Sequence, residues 1–387
     1  MKKKTIFRGA AVSFLLVTMV LVTTAFVDKY HYVDKKLQAI EAVLKDYYVG
    51  DIDEQKLEEG IYKGFVAGVG DAYTNYYTSD EYASFKEKSS GMYAGIGIQM
   101  TLQTYDNSIE VTEVFEGSPA EKAGIKPKDR IIKAAGKRVT GDEFEILPTL
   151  VKGTPGTTVD ITVYRPSEEK NYDFTIERAS VASPTVYFRM LDNEVGYIQI
   201  KQFEAVTYDQ FKVALDKLKK EKAKGLVLDL RDNPGGLLNI VEQIADELVP
   251  EGIIVSTKDK QGKGSEYYAD SKYTDIPMVV LINGNSASAS EVLAGALKDY
   301  SRAELIGTTT FGKGVVQTII PLSDGSAIKL TTSQYFTPSG VCIQGIGIAP
   351  DYEVKLSTEK ILKGRELTDT EDDQLQTAIK VVKEKLK

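Results

Sequence analysis

Apolar positions along this chain change period three times. From Leu37 to Phe85, Ala39, Ile40, Val43, Leu44 and Tyr47 recur at intervals of three and four. Leu57, Ile61, Phe65 and Val66 do the same, which is the spacing of one helix face. The tyrosine-dense stretch Asp71–Tyr77 interrupts this pattern as a turn. Between about Ser89 and Arg178 the pattern shortens to strands punctuated by glycine. These include Tyr93–Ile98, Ser108–Val114 and Thr158–Tyr164, with a short helix opening after Gly117-Ser118-Pro119-Ala120 and ending at Ala123. From Val181 onward strands and helices alternate. Strands are predicted at Gly196–Lys201, Gly225–Leu230 and Pro277–Ile282, and helices at Asp209–Lys222, Leu237–Leu248 and Ala289–Tyr300. Such alternation predicts an α/β layered core. An amphipathic helix over Glu371–Leu386 ends the chain, and no internal repeat is evident.

The first thirty residues have a different logic. Lys2, Lys3, Lys4 and Arg8 precede an apolar run from Gly9 to Val27, 19 residues long. As a helix this run spans ~28 Å, about the hydrocarbon thickness of a bilayer. The cations are expected to stay cytoplasmic and send the rest of the chain outside. A signal anchor is the expectation, with a cleaved signal peptide ending near Thr23-Thr24-Ala25 as the alternative. The protein is then membrane-anchored with its remaining part extracytoplasmic, or secreted after cleavage. The expected organisation is a targeting segment at 1–30, a helical region at 31–88, a strand-rich domain at 89–180, the α/β core at 181–360 and a terminal helix at 361–387.

Composition removes several functions. A net charge of −8 without a basic stripe argues against a nucleic-acid surface. The single cysteine, Cys342, excludes an intramolecular disulfide framework and cysteine-based metal clusters. With one histidine, His31, besides, no metal or other cofactor is expected. A serine nucleophile here would need a base other than histidine, and lysine is the usual substitute.

Two loops follow buried strands of the predicted core, where ligands collect in open α/β sheets. One is Arg231-Asp232-Asn233-Pro234-Gly235-Gly236, the other Asn283-Gly284-Asn285-Ser286-Ala287-Ser288. Backbone N–H groups of Gly235, Gly236 and Ala289, the last at a helix start, are candidate donors to an oxyanion. Ser286, Ser288 and Ser290 are equally nucleophilic by type, and local pattern does not choose among them. Ser288-x-x-Glu291 also reads as a capping box, in which the hydroxyl merely caps the helix. Lys313 stands between Gly312 and Gly314; to act as a base its amine must be uncharged, by desolvation or a nearby cation. In a regular strand Gln317 shares a face with Lys313 at ~13 Å, so contact between them needs a bend. In the strand-rich domain the loop Gly95, Ile96, Gly97 and Ile98 offers N–H groups to an anion. Arg130 is either a peptide sensor or the partner of a carboxylate.

These motifs resemble the C-terminal processing peptidases, also called tail-specific proteases, over nearly everything from Ala39 to Lys385. The carriers are Gly95–Ile98, Gly117–Ala120, Leu228–Gly236, Ser286–Glu291, Phe311–Gln317, Tyr335–Gly340 with Gln344-Gly345, and Pro350-Asp351. The resemblance implies a multidomain α/β protein: an N-terminal helical region, a PDZ domain and a peptidase core of the crotonase/Clp-like layer type. It assigns Ser288 as nucleophile, Lys313 as general base and Gln317 as the group orienting the base. It implies a PDZ groove capturing protein or peptide substrates by apolar C-termini, an acyl-enzyme on Ser288, and a homodimer through the terminal helices. A membrane-tethered PDZ scaffold without catalysis is the alternative, favoured only if the Ser/Lys pair were missing. Val341-Cys342 and Ile346 stand where the family more often carries polar residues and lysine; neither touches the assigned triad.

Overall fold

The computed structural model describes residues 31–192, 194–363 and 367–387. The expected membrane segment over 9–27 lies outside them; among the described residues no helix is long and apolar enough to cross a bilayer. The chain divides into two compact units, one ending at Gly68 and one from Val69 to Lys387. In the first, a helix over 31–47 is followed by Glu54–Ala67, which starts where the Asp53 side chain accepts from the Lys56 N–H at 3.2 Å. The apolar stripe of this pair, including Val43, Tyr47, Ile61 and Phe65, is exposed within the unit.

The second unit holds two domains. Helix Ser79–Ser90 leads into the first and stops at Gly91, whose φ of 67° suits glycine. It crosses the boundary expected at residue 88: Thr78 and Glu81 cap it reciprocally and Gly91 ends it, so no break falls at that point. The domain itself is a six-stranded antiparallel sheet in the order Ile98–Gln103, Ser108–Val114, Arg130–Ala134, Thr158–Arg165, Lys170–Glu177, with Lys137–Arg138 beside Arg130–Ala134. Ile96, Ile109, Val111, Ile131, Val159, Ile161 and Val163 form its core. Helix Leu147–Val151 contributes two more buried side chains.

The α/β core is built on a second six-stranded sheet. Its order is Val186–Met190, Val195–Ile200, Gly225–Asp229, Met278–Ile282, Ala303–Gly307, Tyr352–Glu353; the first pairing is antiparallel and the rest parallel. Gly225–Asp229 and Met278–Ile282 are buried along their whole length, as parallel strands covered on both faces must be. Helices Thr207–Lys220, Leu238–Asp246 and Ala289–Asp299 cover one face. The C-terminal helix Asp373–Glu384 covers the other, packing Leu375, Ala378, Val381 and Val382 on Val227, Val279 and Leu281. A further five-stranded antiparallel sheet was not read from the sequence: Asn75–Tyr77, Ala327–Phe336, Gly252–Asp259 and Glu266–Ala269, with Val315–Pro321 on Ala327–Phe336. The tyrosine-rich stretch expected as a turn thus ends in its edge strand, Asn75 opposite Lys329 and Tyr77 opposite Ala327.

A buried ionic pin fastens the terminal helix to the loop after Gly225–Asp229. The Arg231 guanidinium grips Asp229, which is fully buried, at 2.6 Å, and reaches Asp372 at 2.8 Å and Gln374 at 3.0 Å. Tyr197 donates to the same Asp229 carboxylate at 2.7 Å. Removing one partner of a buried pair leaves a charge without compensation, at about 3–5 kcal/mol. Arg231→Ala is therefore expected to lower unfolding free energy by about that amount, read from denaturant titration; an unchanged midpoint contradicts the pin.

Candidate active site

Both loops singled out above lie side by side at the carboxyl ends of adjacent parallel strands, and their side chains decide which serine is free. Ser286 and Ser290 are fully buried. The Ser286 hydroxyl donates to the Leu230 carbonyl at 2.8 Å and accepts from the Asn283 N–H at 3.0 Å. The Ser290 hydroxyl donates to the Asn233 carbonyl at 2.9 Å. Both are thus spent on stitching the loops together. Ser288 alone retains some exposure, 7%, and its hydroxyl closes no cap of the following helix. The Glu291 N–H lies beside that hydroxyl in capping-box fashion but donates to the Ser288 carbonyl, at 2.8 Å.

Ser288 has φ 56° and ψ −113°, a conformation that strains a residue with a side chain by about 1–3 kcal/mol. A serine held on such a strand-to-helix turn presents its hydroxyl outward. The restraint is Glu291. Its carboxylate is fully buried and accepts from four donors: Ser288 N–H at 2.8 Å, Lys313 N–H at 2.8 Å, Gly312 N–H at 2.7 Å and Thr310 Oγ1 at 2.6 Å. One oxygen, Oε2, takes both the Ser288 and the Lys313 amides. Expected only as the capping partner of Ser288, Glu291 accepts from that amide and also joins the Ser288 loop to the Lys313 loop.

The Gly312-Lys313-Gly314 loop is packed more tightly than freedom to aim an amine would require. A Cβ at Gly314 would meet Gln344 N at 2.4 Å, and one at Gly312, where φ is 87°, the amides of Ile346 and Gly347 at 3.1 Å. Gly314 donates to Gln344 Oε1 at 2.8 Å and accepts from Tyr335 N–H at 2.8 Å. The half-buried Lys313 amine lies 4.8 Å from the centroid of the Tyr73 ring. Burial, helped by the Lys329 cation and opposed by Asp71 and Glu291, holds its pKa below the ordinary lysine value. Among the described residues no hydrogen bond joins this amine to Ser288. The buried Tyr335 phenol, which burial pushes up to about 12, lies near the Ser288 hydroxyl.

Gln317 is not brought onto Lys313. It lies on Val315–Pro321 beside a bulge at Val316/Gln317, and its Nε2 donates to the Val315 carbonyl at 3.2 Å and to Thr331 Oγ1 at 3.4 Å. Of the oxyanion candidates, Gly235 is corrected: its N–H already donates to Asn233 Oδ1 at 2.8 Å. Its role is spatial, since a Cβ there would meet the Ala287 carbonyl at 2.7 Å and Ser288 Cβ at 2.9 Å. Gly236 and Ala289 remain as candidate donors.

In the PDZ-like domain Ile96, Gly97 and Ile98 line a groove of about 320 Å³ between strand Ile98–Gln103 and helix Leu147–Val151. The Tyr93 hydroxyl, raised to about 12 by burial, lies near the Gly97 and Ile98 N–H groups. Arg130 does not reach this groove: its guanidinium pairs with Asp106 at 2.8 Å and donates to Tyr105 Oη at 2.9 Å, the carboxylate-partner alternative. Glu291, Tyr335 and Tyr73 were not assigned from the sequence. Only Glu291 left a local signal there, its position three residues after a cap.

The profile of peptidase family S41 matches residues 194–354 and that of a PDZ domain residues 94–176. A carboxy-terminal-processing protease of Bartonella bacilliformis is 37% identical over 84% of this chain and 76% of its own length. The carboxy-terminal processing protease CtpA of Bacillus subtilis is 38% identical over 84% of this chain and 69% of its own. Among solved structures, the photosystem II D1 C-terminal processing protease is similar at 31% identity, covering 82% of this chain and 86% of that one, with a TM-score of 0.49. The chain belongs to peptidase family S41, as a serine-type peptidase that carries a PDZ domain.

Proposed function

We propose that this protein is an endopeptidase that captures protein substrates by an apolar C-terminal tail and cleaves them through an acyl-enzyme on Ser288. The observation that carries the reading is that Ser288 alone of the three serines has its hydroxyl clear of the loop-to-loop stitching, while Glu291 ties its amide to that of Lys313. The tail's carboxylate enters the groove at Gly97 and Ile98, displacing the Tyr93 hydroxyl. At the core, the Ser288 Oγ attacks the scissile carbonyl and its proton passes to the neutral Lys313 amine. The oxyanion is met by the N–H groups of Gly236 and Ala289, the latter at a helix start. As the tetrahedral species collapses, the C–N bond breaks and the departing amine takes the proton from Lys313; water then releases the acyl group by the same route. The amine must leave the Tyr73 ring to reach Ser288, and Gln317 must turn from Val315 to orient it. The apolar run after Lys2–Lys4 supports a membrane-tethered or secreted enzyme working outside the cytoplasm, and the exposed apolar stripe of the N-terminal helices supports a homodimer.

Ser288→Ala and Lys313→Ala are each expected to lower turnover of a tail-bearing protein by roughly 10³-fold or more, with unchanged circular dichroism. Full activity in either variant would falsify the assignment. Glu291→Gln keeps the shape but turns an amide nitrogen toward two N–H donors. A misplaced site costs on the order of 10²-fold, so kcat should fall by about that much while Thr310→Ser stays near wild type.

The proton-accepting amine must be uncharged, so activity is lost as pH falls through the Lys313 pKa. The acidic limb of kcat/KM is expected below the ordinary lysine value. Lys329 depresses that pKa, and Lys329→Met removes the cation while keeping the stem. The limb should therefore move to higher pH; a limb that stays put or moves the other way rejects Lys313 as the titrating base.

A further inference from the structure

Part of the lining of the groove comes from outside the PDZ domain. Ser183 and Glu204 line it, beyond the 94–176 span of the PDZ profile. The remaining wall is largely apolar, with Ile96, Ile98, Met100 and Val151. Among the described residues, two buried side-chain polar atoms have no hydrogen-bond partner, and one is Glu204 Oε2. The other, Arg130 Nε, belongs to a guanidinium already satisfied through its other nitrogens. Leaving such an atom unpaired costs about 1–3 kcal/mol.

The backbone around Glu204 is held in place. Its N–H donates to Thr207 Oγ1 at 2.9 Å, and the Ala205 N–H donates to the Ser89 carbonyl at 3.0 Å. A Cβ at Gly91, where φ is 67°, would stand 2.8 Å from Oε2, so glycine there makes room for the carboxyl. Burial raises the Glu204 pKa from its ordinary value. Two lysines, Lys88 and Lys152, line the same groove, and Lys152 is paired with Glu87 at 2.8 Å. The lining of the groove therefore holds two lysines and one acceptor without a donor.

We propose that Glu204 is a specificity residue of the groove: its free carboxyl oxygen accepts from an N–H-bearing side chain, ammonium, guanidinium or carboxamide, near the end of the captured tail. This rests on the tail-capture reading above. A site with a buried acceptor discriminates strongly against an analogue that lacks the donor, because the acceptor is then left unpaired. Position in the chain adds a second effect. The neighbouring Phe203 donates its N–H to the Gly235 carbonyl at 3.0 Å, and its carbonyl accepts from Leu237 N–H at 2.7 Å. Drawing Glu204 onto a ligand thus acts one residue away from the loop that carries Gly236.

The test uses the full chain carrying Ser288→Ala and fluorescence anisotropy with fluorescent tail peptides. The peptides end in an apolar residue and differ only by Lys against norleucine, or Gln against Met, at each of the three preceding positions. At one position the N–H-bearing peptide is expected to bind about tenfold or more tighter, and Glu204→Leu should remove that difference without lowering the melting temperature. Should Glu204→Leu fail to fold, Glu204→Gln keeps shape and an acceptor without charge. It should cut the Lys preference by about threefold or more. In active enzyme the same substitutions should lower kcat on donor-bearing tails as well as raise KM. Equal binding of both members of every pair, or a preference that survives loss of the carboxylate, overturns the proposal while leaving tail capture standing. Absence of tail binding to either protein overturns tail capture itself and this proposal with it.

Discussion

A buried carboxylate that serves two loops at once has only one place to be. Glu291 accepts from Ser288 and Lys313 through one oxygen and from Gly312 and Thr310 through the other, so four donors on two segments share one anchor. Each of these bonds is short, between 2.6 and 2.8 Å. The anchor is itself held by helix Ala289–Asp299, of which Ala289 through Leu297 are all buried. A rigid helix therefore sets where the Lys313 loop begins. The strain at Ser288 persists because its amide, its carbonyl and the glycine loop beneath it are all committed elsewhere.

The same economy appears at Gly235 and Gly236. Their positive φ values and the close approach of Ala287, Ser288 and the Phe203 carbonyl leave no space for a side chain. Asn233 holds the loop from within, donating to the Ile200 carbonyl at 2.9 Å and accepting from Gly235. Ser286 and Ser290 bind the neighbouring loop to it. The flanking serines of the Ser-Ala-Ser-Ala-Ser run are structural for this reason, and Arg231 extends the hold to the terminal helix.

How much of this could be read in advance follows from the physics of each element. Gly225–Asp229 and Met278–Ile282 were legible because strands covered on both faces become continuous apolar runs. The antiparallel sheet over Gly252–Asp259, Val315–Pro321 and Ala327–Phe336 was not, because its strands are mostly half-buried and neither face gives a period of two. Ser288 and Lys313 were singled out by their motifs. The choice of Ser288 over Ser286 and Ser290, however, depends on acceptors at Leu230 and Asn233, more than fifty residues earlier. Gln317 was expected near Lys313 given a bend, and the bulge that occurs turns its amide to Val315 instead. Glu291 looked like a helix cap since its three other donors lie about twenty residues downstream, beyond any local pattern.

The base role proposed for Lys313, beside a buried carboxylate, presents a conflict that the site has to resolve. An adjacent negative charge favours the ammonium form, the wrong one for accepting a proton. Glu291 and Asp71 push Lys313 in that direction, yet its pKa is lowered, because burial and the Lys329 cation outweigh them. Geometry explains how both can coexist: Glu291 is bound by the Lys313 backbone N–H and not by the amine, with its oxygens already occupied by four donors. The carboxylate thus serves as a clamp on the main chain, and the side chain is left to the apolar face of Tyr73. Exchanging those donors for water would free the carboxylate to pair with the amine, and the proposed base would be lost together with the clamp.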